Sequence, residues 1–487
     1  MTQYLIKYGK KDDNRLEISL FIDDLCGEES FFQLPSWRPG RYELGNFAQN
    51  MFCLSAKNQN GSTLNCYKIT KDRWKIEHPG ATTINLKYTY AAVIKNAGGT
   101  FKTPDQLVIT PVNCLIYAEH LLDNPCQISL EIPIEFESFS AIKNGLCGSF
   151  YELASSPIIC GADICKKTLT CSGVQFHILF QGNVNPDWTK ITQDYAKFIA
   201  EQLSIFKEFV STDYYFLNLI FEEDHYHGVE HLNSTLIALG PDIAFGHEDF
   251  YLNLLGISSH ELFHYWNICR IRPLELLPYD YSQETYFQTG YIAEGITTYY
   301  GDYLLGRSNV VSKQQCLLDL SATISKHLTN PARHQVSVAE SSVDLWLDGY
   351  KTGVVGRKVS IYHKGAAIAF LLDLWIRKTT RNAKSLDDIM LLMWQKHGKV
   401  GIGYSNNDYK NCIEEVVQQN VEWYFEDYVF GTIPVENLLG SLLLDFGMIL
   451  KQETTLDSAK WTIYLVENMN DSKKENFDKW FSTTTTT

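Results

Sequence analysis

The chain has 487 residues, of which 45% are hydrophobic and 20% are charged, and this composition excludes an intrinsically disordered protein. Its net charge of -15 argues against nucleic acid or an anionic membrane as the main partner, because the overall field would repel both. No uncharged apolar run reaches the roughly 18 to 20 residues that span a bilayer, and the N-terminus lacks the features of a secretory signal. We therefore expect a cytoplasmic protein without a membrane span.

The 12 cysteines are scattered along the sequence, and no two of them form the close pairs that mark structural zinc sites or redox motifs. A chain of this length can bury enough apolar surface without covalent crosslinks. The sequence therefore predicts free, mostly buried thiols rather than disulfides.

Residues 1–175 contain short runs in which apolar and polar side chains alternate, for example at 15–21, 83–90 and 126–132. Clusters of Gly, Pro and Asn separate these runs. Alternation with a period of two is typical of strands that bury one face. We expect an N-terminal antiparallel β-domain over 1–175.

From about residue 186 the apolar residues recur at helical spacing, which predicts a long amphipathic helix over 187–210, followed by a buried strand at 214–221. Further helical patterns lie at 248–267, 288–305, 310–328, 359–378, 385–397 and 434–446. We expect an α+β unit over 176–305, a helical lobe over 306–450 and a polar C-terminal tail over 451–487. The tail ends in the low-complexity run Thr483 to Thr487 and is expected to be mobile.

The strongest local motif is the HExxH pentad from His260 to His264, in a predicted helix. Residues four apart share a helical face, so both imidazoles can bind one cation while Glu261 lies beside it. This is the arrangement of a zinc peptidase, in which the carboxylate takes a proton from the activated water. The alternative is a pair of helix histidines that other contacts satisfy.

A catalytic zinc needs a third protein ligand, and Glu294, 30 residues after His264, is the candidate. It begins another apolar helical pattern, where a carboxylate is costly unless something pairs with it. The alternative is an ordinary carboxylate near a helix N-terminus. Asp302 is a weaker candidate for a residue that orients a metal ligand.

The reaction also needs a donor for the oxyanion that develops during hydrolysis, and Tyr362 is our candidate. Periodicity alone would place Tyr362 in the core. His363 and Lys364 are rivals for the same role.

The loop after the strand at 214–221 carries several polar residues, including Glu230, which could hold the ammonium group of a substrate. From the residues alone, this loop reads as an ordinary polar connection. His225, His227 and His231 could in principle form a second metal site, although solvated histidines are the commoner outcome.

These motifs together resemble the glycyl aminopeptidase family of gluzincin metallopeptidases. The resemblance rests on HELFHYWNICRIRP at 260–273, Glu294-Gly295 with Tyr299-Tyr-Gly-Asp302, Gly228-Val-Glu-His-Leu-Asn-Ser234, Tyr362-His-Lys-Gly365, Ser36-Trp-Arg-Pro-Gly-Arg-Tyr42 and Phe425-Glu-Asp-Tyr-Val-Phe-Gly-Thr432. It extends from about residue 30 to 447. Members of the family usually carry a C-terminal PDZ domain, and the remaining roughly 40 residues are too few for one, so we expect that domain to be missing.

The resemblance implies one Zn²⁺ per chain, bound by His260, His264 and Glu294, with Glu261 as the base and Tyr362 polarising the scissile carbonyl. It also implies that Glu230 binds the amine of a peptide substrate. The expected fold is a multidomain α+β protein in which a thermolysin-like catalytic domain and an α-helical lobe follow the β-domain.

The predicted function is zinc-dependent removal of small N-terminal residues, Gly or Ala, from peptides. Three alternatives remain open at this stage: a zinc endopeptidase, an inactive peptide-binding protein on the same fold, and a zinc hydrolase acting on another class of substrate.

Overall fold

A computed structural model describes residues 1–25, 27–454 and 459–482, and it has the predicted multidomain α+β architecture. The N-terminal part consists of strands and two short helices. The strands are β1 Thr2–Lys7, β2 Arg15–Ile22, β3 Glu29–Gln33, β4 Met51–Asn58, β5 Asn65–Lys68, β6 Arg73–Glu77, β7 Ile84–Ala91, β8 Phe101–Lys102, β9 Gln106–Ile109, β10 Tyr117–Ala118, β11 Cys126–Glu131, β12 Glu137–Phe139, β13 Leu146–Cys147 and β14 Ile158–Gly161. The helices are α1 Pro111–Cys114 and α2 Phe150–Ala154.

These strands form three sheets, with the orders β13-β11-β1-β2-β7-β4, β10-β3-β6-β5 and β12-β14-β9-β8. The alternation in the sequence sets the buried face: Leu16, Ile18, Leu20 and Ile22 of β2 are all buried. Pairing is antiparallel as predicted, except between β1 and β11, which run parallel.

A five-stranded sheet with the order β15-β16-β17-β19-β18 supports the second unit. Its strands are β15 Ile164–Cys171, β16 Val174–Gln181, β17 Asp213–Ile220, β18 His225–Glu230 and β19 Ser234–Gly240. The predicted boundary at residue 175 would separate the hydrogen-bonded pair β15 and β16. We therefore propose a boundary between Gly161 and Ile164.

Most helices of the second unit follow the predicted segments closely. The helices are α3 Trp188–Phe206, α4 Glu248–Phe263, α5 Thr297–Arg307, α6 Lys313–Leu328, α7 Val338–Val343, α8 Leu345–Asp348, α9 Ile361–Thr379, α10 Leu386–Met393, α11 Asn406–Val417, α12 Glu422–Tyr424 and α13 Val435–Asp445. Of these, α7, α8, α11 and α12 were not predicted. Turns of π-helix precede α5 at Tyr291–Ile296, follow α10 at Trp394–Gly398 and follow α12 at Phe425–Val429.

The C-terminal segment is not the polar tail that the sequence suggested. It forms the hairpin β20 Met448–Thr454 and β21 Ala459–Leu465, followed by α14 Asp471–Trp480. The indole of Trp480 is fully buried, stacks on Tyr303 at 5.0 Å and donates to the Tyr299 hydroxyl at 3.1 Å. Apolar anchors on an otherwise polar helix explain the difference. The predicted mobile run Thr483 to Thr487 lies outside the described residues.

Two further expectations concern membranes and thiols. Among the described residues, no helix is both long and apolar enough to cross a bilayer. The cysteines in the described part of the chain are free, and most of them are buried, as predicted.

Candidate active site

The site begins at the end of α4, where the HExxH pentad turns out of the helix. His260 lies in the last turn and His264 is the residue that caps it. One helical turn brings the two Nε2 atoms to 3.0 Å, and the His264 side chain is almost completely buried. The two imidazoles therefore converge on one point, as the spacing predicts.

Glu294 reaches the same point from the π-helical turn Tyr291–Ile296. Its Oε2 atom is 3.3 Å from His264 Nε2 and 3.9 Å from His260 Nε2. Ligand atoms about 2.0 to 2.2 Å from a tetrahedral zinc ion lie about 3.3 to 3.6 Å from one another. The three observed separations, 3.0, 3.3 and 3.9 Å, lie on both sides of this range, so the three donor atoms form a group that could hold a zinc ion after small adjustments and leave one position for water or substrate.

Asn267 holds the two ligand-bearing segments together. Its backbone carbonyl lies 2.7 Å from His264 Nδ1, so the proton on Nδ1 is donated there and the Nε2 lone pair faces the site. Its buried side-chain amide donates to the carbonyls of Ile292 and Ala293, at 2.8 and 3.2 Å, and to Thr297 Oγ1 at 3.0 Å. The sequence analysis did not single out this residue. The only signal in the sequence is an Asn three positions after a predicted metal ligand.

Glu261 extends into the cavity beside the histidines. Its Oε2 atom is buried without a hydrogen-bond partner among the described residues, and burial raises the pKa of the carboxyl group to about 8. A β-carbon at Gly228 of β18 would lie only 2.2 Å from Glu261 Oε1. The strand therefore confines a carboxyl group that borders the cavity and has one buried oxygen without a hydrogen-bond partner among the described residues.

Glu230 is buried at the end of β18, and its carboxylate lies within 4.8 Å of the ligand-type atoms of Glu261 and His264. Burial raises the pKa of this carboxyl group, and the guanidinium of Arg38 opposes part of the increase. Gly40, with a φ of 76°, touches it: a β-carbon there would lie 2.4 Å from Glu230 Oε2. A buried carboxyl group thus lies next to Glu261 and His264, against a wall from the N-terminal domain.

The segment 36–42 carries that wall and docks into the second unit. The indole of Trp37 donates to the carbonyl of Asp280 at 2.7 Å and packs edge-on against Trp346 at 5.1 Å. The backbone N–H of Tyr42 donates to the Tyr350 hydroxyl at 3.2 Å. The sequence associated this segment with the N-terminal domain but gave no sign that it borders the site, because the contacts span more than 200 positions.

Tyr362 is half-buried in the first turn of α9 and lines the same cavity as Glu294. A close helix contact places it there, since a β-carbon at Gly295 would lie 2.4 Å from Gly365 Cα. Burial and the Glu294 carboxylate hold the pKa of the Tyr362 hydroxyl well above its usual value. The hydroxyl therefore stays protonated and can donate a hydrogen bond.

Lys364 and His363, the other candidates for the oxyanion donor, differ from Tyr362 in their contacts or in their charge. Lys364 is buried and donates to the carbonyl of Gly431 at 3.1 Å, away from the cavity. His363 does line the cavity, but burial lowers its pKa to about 4, so its imidazole is neutral near pH 7.

Asp302 lines the far wall of the cavity, near Asp319 of α6. Burial raises the pKa of its carboxyl group to about 7, and within the described part of the chain it makes no hydrogen bond to His260 or His264. Its surroundings therefore differ from those of a residue that orients a ligand.

The three loop histidines do not converge. His225 contacts the backbone carbonyls of Asp224 and Lys95, His227 lines the cavity and His231 is buried. In the ranges that the structure covers, they belong to no cluster of metal-ligand atoms.

Two family models match this chain. The M61 N-terminal domain matches residues 3–162, and the M61 glycyl aminopeptidase model matches residues 253–368, so the two together account for more than half of the sequence. The second match contains the HExxH pentad, Glu294 and Tyr362. The chain belongs to the M61 glycyl aminopeptidase family.

Solved structures support this assignment. An aminopeptidase N family protein from Idiomarina loihiensis has a TM-score of 0.88 and 26% identity over 93% of this chain and 80% of its own. At the level of the fold alone, an M1 zinc metallopeptidase from Deinococcus radiodurans with a bound Tyr-Ser-Ala substrate has a TM-score of 0.56 and 12% identity, covering 89% of this chain and 94% of its own. Aminopeptidase A from Legionella pneumophila, in complex with aspartic acid, has a TM-score of 0.54 and 14% identity, with coverages of 96% and 52%.

No curated protein sequence matches this chain significantly. The M61 family match and the Idiomarina structure indicate a metallopeptidase of the aminopeptidase type.

Proposed function

We propose that this M61 protein is a zinc-dependent aminopeptidase that removes small N-terminal residues from peptides. The observation that carries the proposal is the position of Glu230, a buried carboxylate within 4.8 Å of the ligand-type atoms of Glu261 and His264. A carboxylate so close to the reacting groups can bind the ammonium of a peptide's first residue, because a charge-assisted hydrogen bond is stronger than a neutral one. The preference for Gly is inferred from the family's description, and Ala is included as the next smallest side chain.

His260, His264 and Glu294 would hold one Zn²⁺ per chain. Zinc bound there supplies Lewis acidity, which activates a water molecule for attack on the peptide carbonyl. The arrangement of Asn267 supports this assignment, because its carbonyl fixes the His264 tautomer that leaves Nε2 free to bind a metal.

The other residues move protons and stabilise charge. The Oε2 atom of Glu261 has no hydrogen-bond partner among the described residues. In its ionised form, the Glu261 carboxylate can accept the proton of the attacking water and later deliver it to the departing amine. The protonated Tyr362 hydroxyl donates a hydrogen bond to the oxyanion that develops on the carbonyl.

The test compares Gly- and Ala-peptides that carry free or acetylated N-termini. Wild type should cleave only the free peptides, and Glu230→Ala should lower kcat/KM on them by about 10- to 100-fold, the usual range for a lost hydrogen bond to a charged group. Glu222→Ala is the matched control, because Glu222 is an exposed carboxylate in the loop before β18, outside the cavity.

Equal cleavage of free and acetylated peptides by wild type would make the protein an endopeptidase. Metal analysis completes the test, with about one zinc per chain expected in wild type and loss of zinc in His264→Ala. Wild-type protein that neither contains nor takes up zinc would refute the metallopeptidase assignment and favour a peptide-binding role.

A further inference from the structure

A second cavity adjoins the catalytic one. The catalytic cavity has a volume of about 330 Å³ and its neighbour one of about 350 Å³, and the two share Tyr362 and Lys326 as lining residues. The second cavity lies between the end of α6, the segment 349–359 and the start of α9. Because Tyr362 and Lys326 line both cavities, a peptide bound beside the proposed oxyanion donor can extend toward the second cavity.

Acidic and basic side chains are unevenly distributed along the walls of the two cavities. The catalytic cavity is lined by carboxylates, namely Glu230, Glu261, Glu294 and Asp302. Within the described residues, Lys326 is the only Lys or Arg that lines it. The cation therefore lies at the junction of the two cavities, away from the carboxylate proposed to bind the ammonium.

Lys326 is also the cation left available at this junction. Lys358, the other lysine that lines the second cavity, faces Asp348 at 3.7 Å and donates to the carbonyl of Lys351 at 2.7 Å. Lys326 is exposed and forms no ion pair within 4.0 Å in the part of the chain that the structure describes. Lys326 is among the charges that act on Asp302 and His363, both of which line the catalytic cavity.

The remaining wall of the second cavity combines apolar and polar side chains. The apolar ones are Leu345, Val354, Val355, Val359 and Ile361. Two of these, Val354 and Val355, are 72% and 86% exposed, so apolar surface is available to a ligand. A cavity with mixed walls and one lysine that forms no ion pair among the described residues suits a short segment of peptide that ends in a carboxylate.

We propose that the second cavity binds the leaving part of the substrate and that Lys326 pairs with its C-terminal carboxylate, which makes di- and tripeptides with free termini the preferred substrates. This inference rests on the proposed aminopeptidase function. Glu230 would bind one end of the substrate and Lys326 the other. A long polypeptide would lack the second contact, because its C-terminus lies too far from the scissile bond.

The experiment compares Gly-Ala-Ala with its C-terminal amide. Wild type should show a KM about five- to tenfold higher for the amide with little change in kcat, near the lower limit for a hydrogen bond to a charged group because Lys326 is exposed. Lys326→Gln should cleave both peptides with the same KM, and Lys326→Arg should restore the preference. Lys313→Gln is the matched control, because it removes the same charge from the other end of α6, outside both cavities.

A second pair of substrates distinguishes the two sources of a carboxylate. Gly-Glu-Ala amide and Gly-Gln-Ala amide differ only in a side-chain charge. If a KM difference that depends on Lys326 appears between these two amides, and not between Gly-Ala-Ala and its amide, the proposal is wrong. It is equally wrong if wild type cleaves Gly-Ala-Ala and its amide with the same KM.

Binding of Ala-Ala and Ala-Ala amide, measured by calorimetry on zinc-loaded Glu261→Gln, gives a readout with little turnover, because that variant is expected to keep its zinc and lose most of its activity. The free dipeptide should bind about five- to tenfold more tightly than its amide to Glu261→Gln, and the two should bind equally to Glu261→Gln combined with Lys326→Gln. If wild type cleaves no peptide but the free dipeptide still binds more tightly than its amide, only the proposed aminopeptidase function is refuted. Equal binding of the free dipeptide and its amide would refute the role of Lys326.

Discussion

Gly295→Ala tests how the site is assembled without touching any residue proposed to react. Gly295 lies in the π-helical turn directly after Glu294 and contacts Gly365, three residues after Tyr362. A β-carbon there would lie 2.4 Å from Gly365 Cα and 2.6 Å from its carbonyl carbon. Ordinary contacts between carbon atoms are about 3.5 to 4.0 Å, so the two segments must separate by about 1 Å.

The cost follows from this separation. Overpacking of a tight contact costs about 1 to 3 kcal/mol, and replacing a helical glycine by alanine returns about 1 kcal/mol. The net cost is about 0 to 2 kcal/mol, so we expect Tm to fall by at most about 8 °C, since about 1 kcal/mol shifts Tm by roughly 2 to 4 °C in a domain of 150 to 250 residues. Activity should fall much further, because moving Tyr362 by about 1 Å relative to Glu294 can cost about 10²-fold in rate.

The assay is kcat on Gly-peptides together with Tm and zinc content. Gly440→Ala is the control, because Gly440 is a helical glycine of α13 with open space around its β-carbon position. The control should keep wild-type kcat and gain stability. Wild-type kcat and Tm in Gly295→Ala would refute the inference that the Gly295 contact sets the position of Tyr362.

Three further variants separate metal binding, proton transfer and oxyanion stabilisation. Glu261→Gln should keep its zinc and lose most of its activity, because an amide cannot accept the proton; wild-type turnover would place the base elsewhere. Tyr362→Phe should lower kcat by about 10² to 10³ with little change in KM, and an unchanged kcat would leave Tyr362 as a packing residue. Asn267→Ala should weaken zinc affinity by about 10- to 100-fold in a chelator competition, because it loses the amide that ties the HExxH segment to the turn carrying Glu294. Unchanged affinity would leave that amide a purely structural contact.

The ligand-type residues could be identified from sequence because their geometry is local. The spacing of four in His260 to His264 fixes one helical face, and Glu294 stood out as a carboxylate in an apolar helical pattern. The alternating strands of the N-terminal domain were predictable for the same reason, since a period of two decides which face is buried.

Features that depend on long-range contacts were not predictable. The π-helical turn before α5 has no distinct residue pattern, and the sequence indicated one continuous helix over 288–305. The contact of Gly40 with Glu230 joins residues 190 positions apart. Near the C-terminus, the overall polarity of α14 concealed the spacing of Phe477, Trp480 and Phe481, which is that of a helix with one buried face.

The position of Gly40 has a consequence for how specificity can change in this protein. One wall of the cavity belongs to the N-terminal domain, whereas every residue proposed to react belongs to the other unit. The backbone at Gly40 therefore limits the space around a substrate's first residue, while the metal site keeps its own sequence. Position 40 itself is closed to side chains, so this wall can change only through residues that anchor the segment, such as Trp37, and such changes would adjust substrate choice without altering the proposed metal ligands.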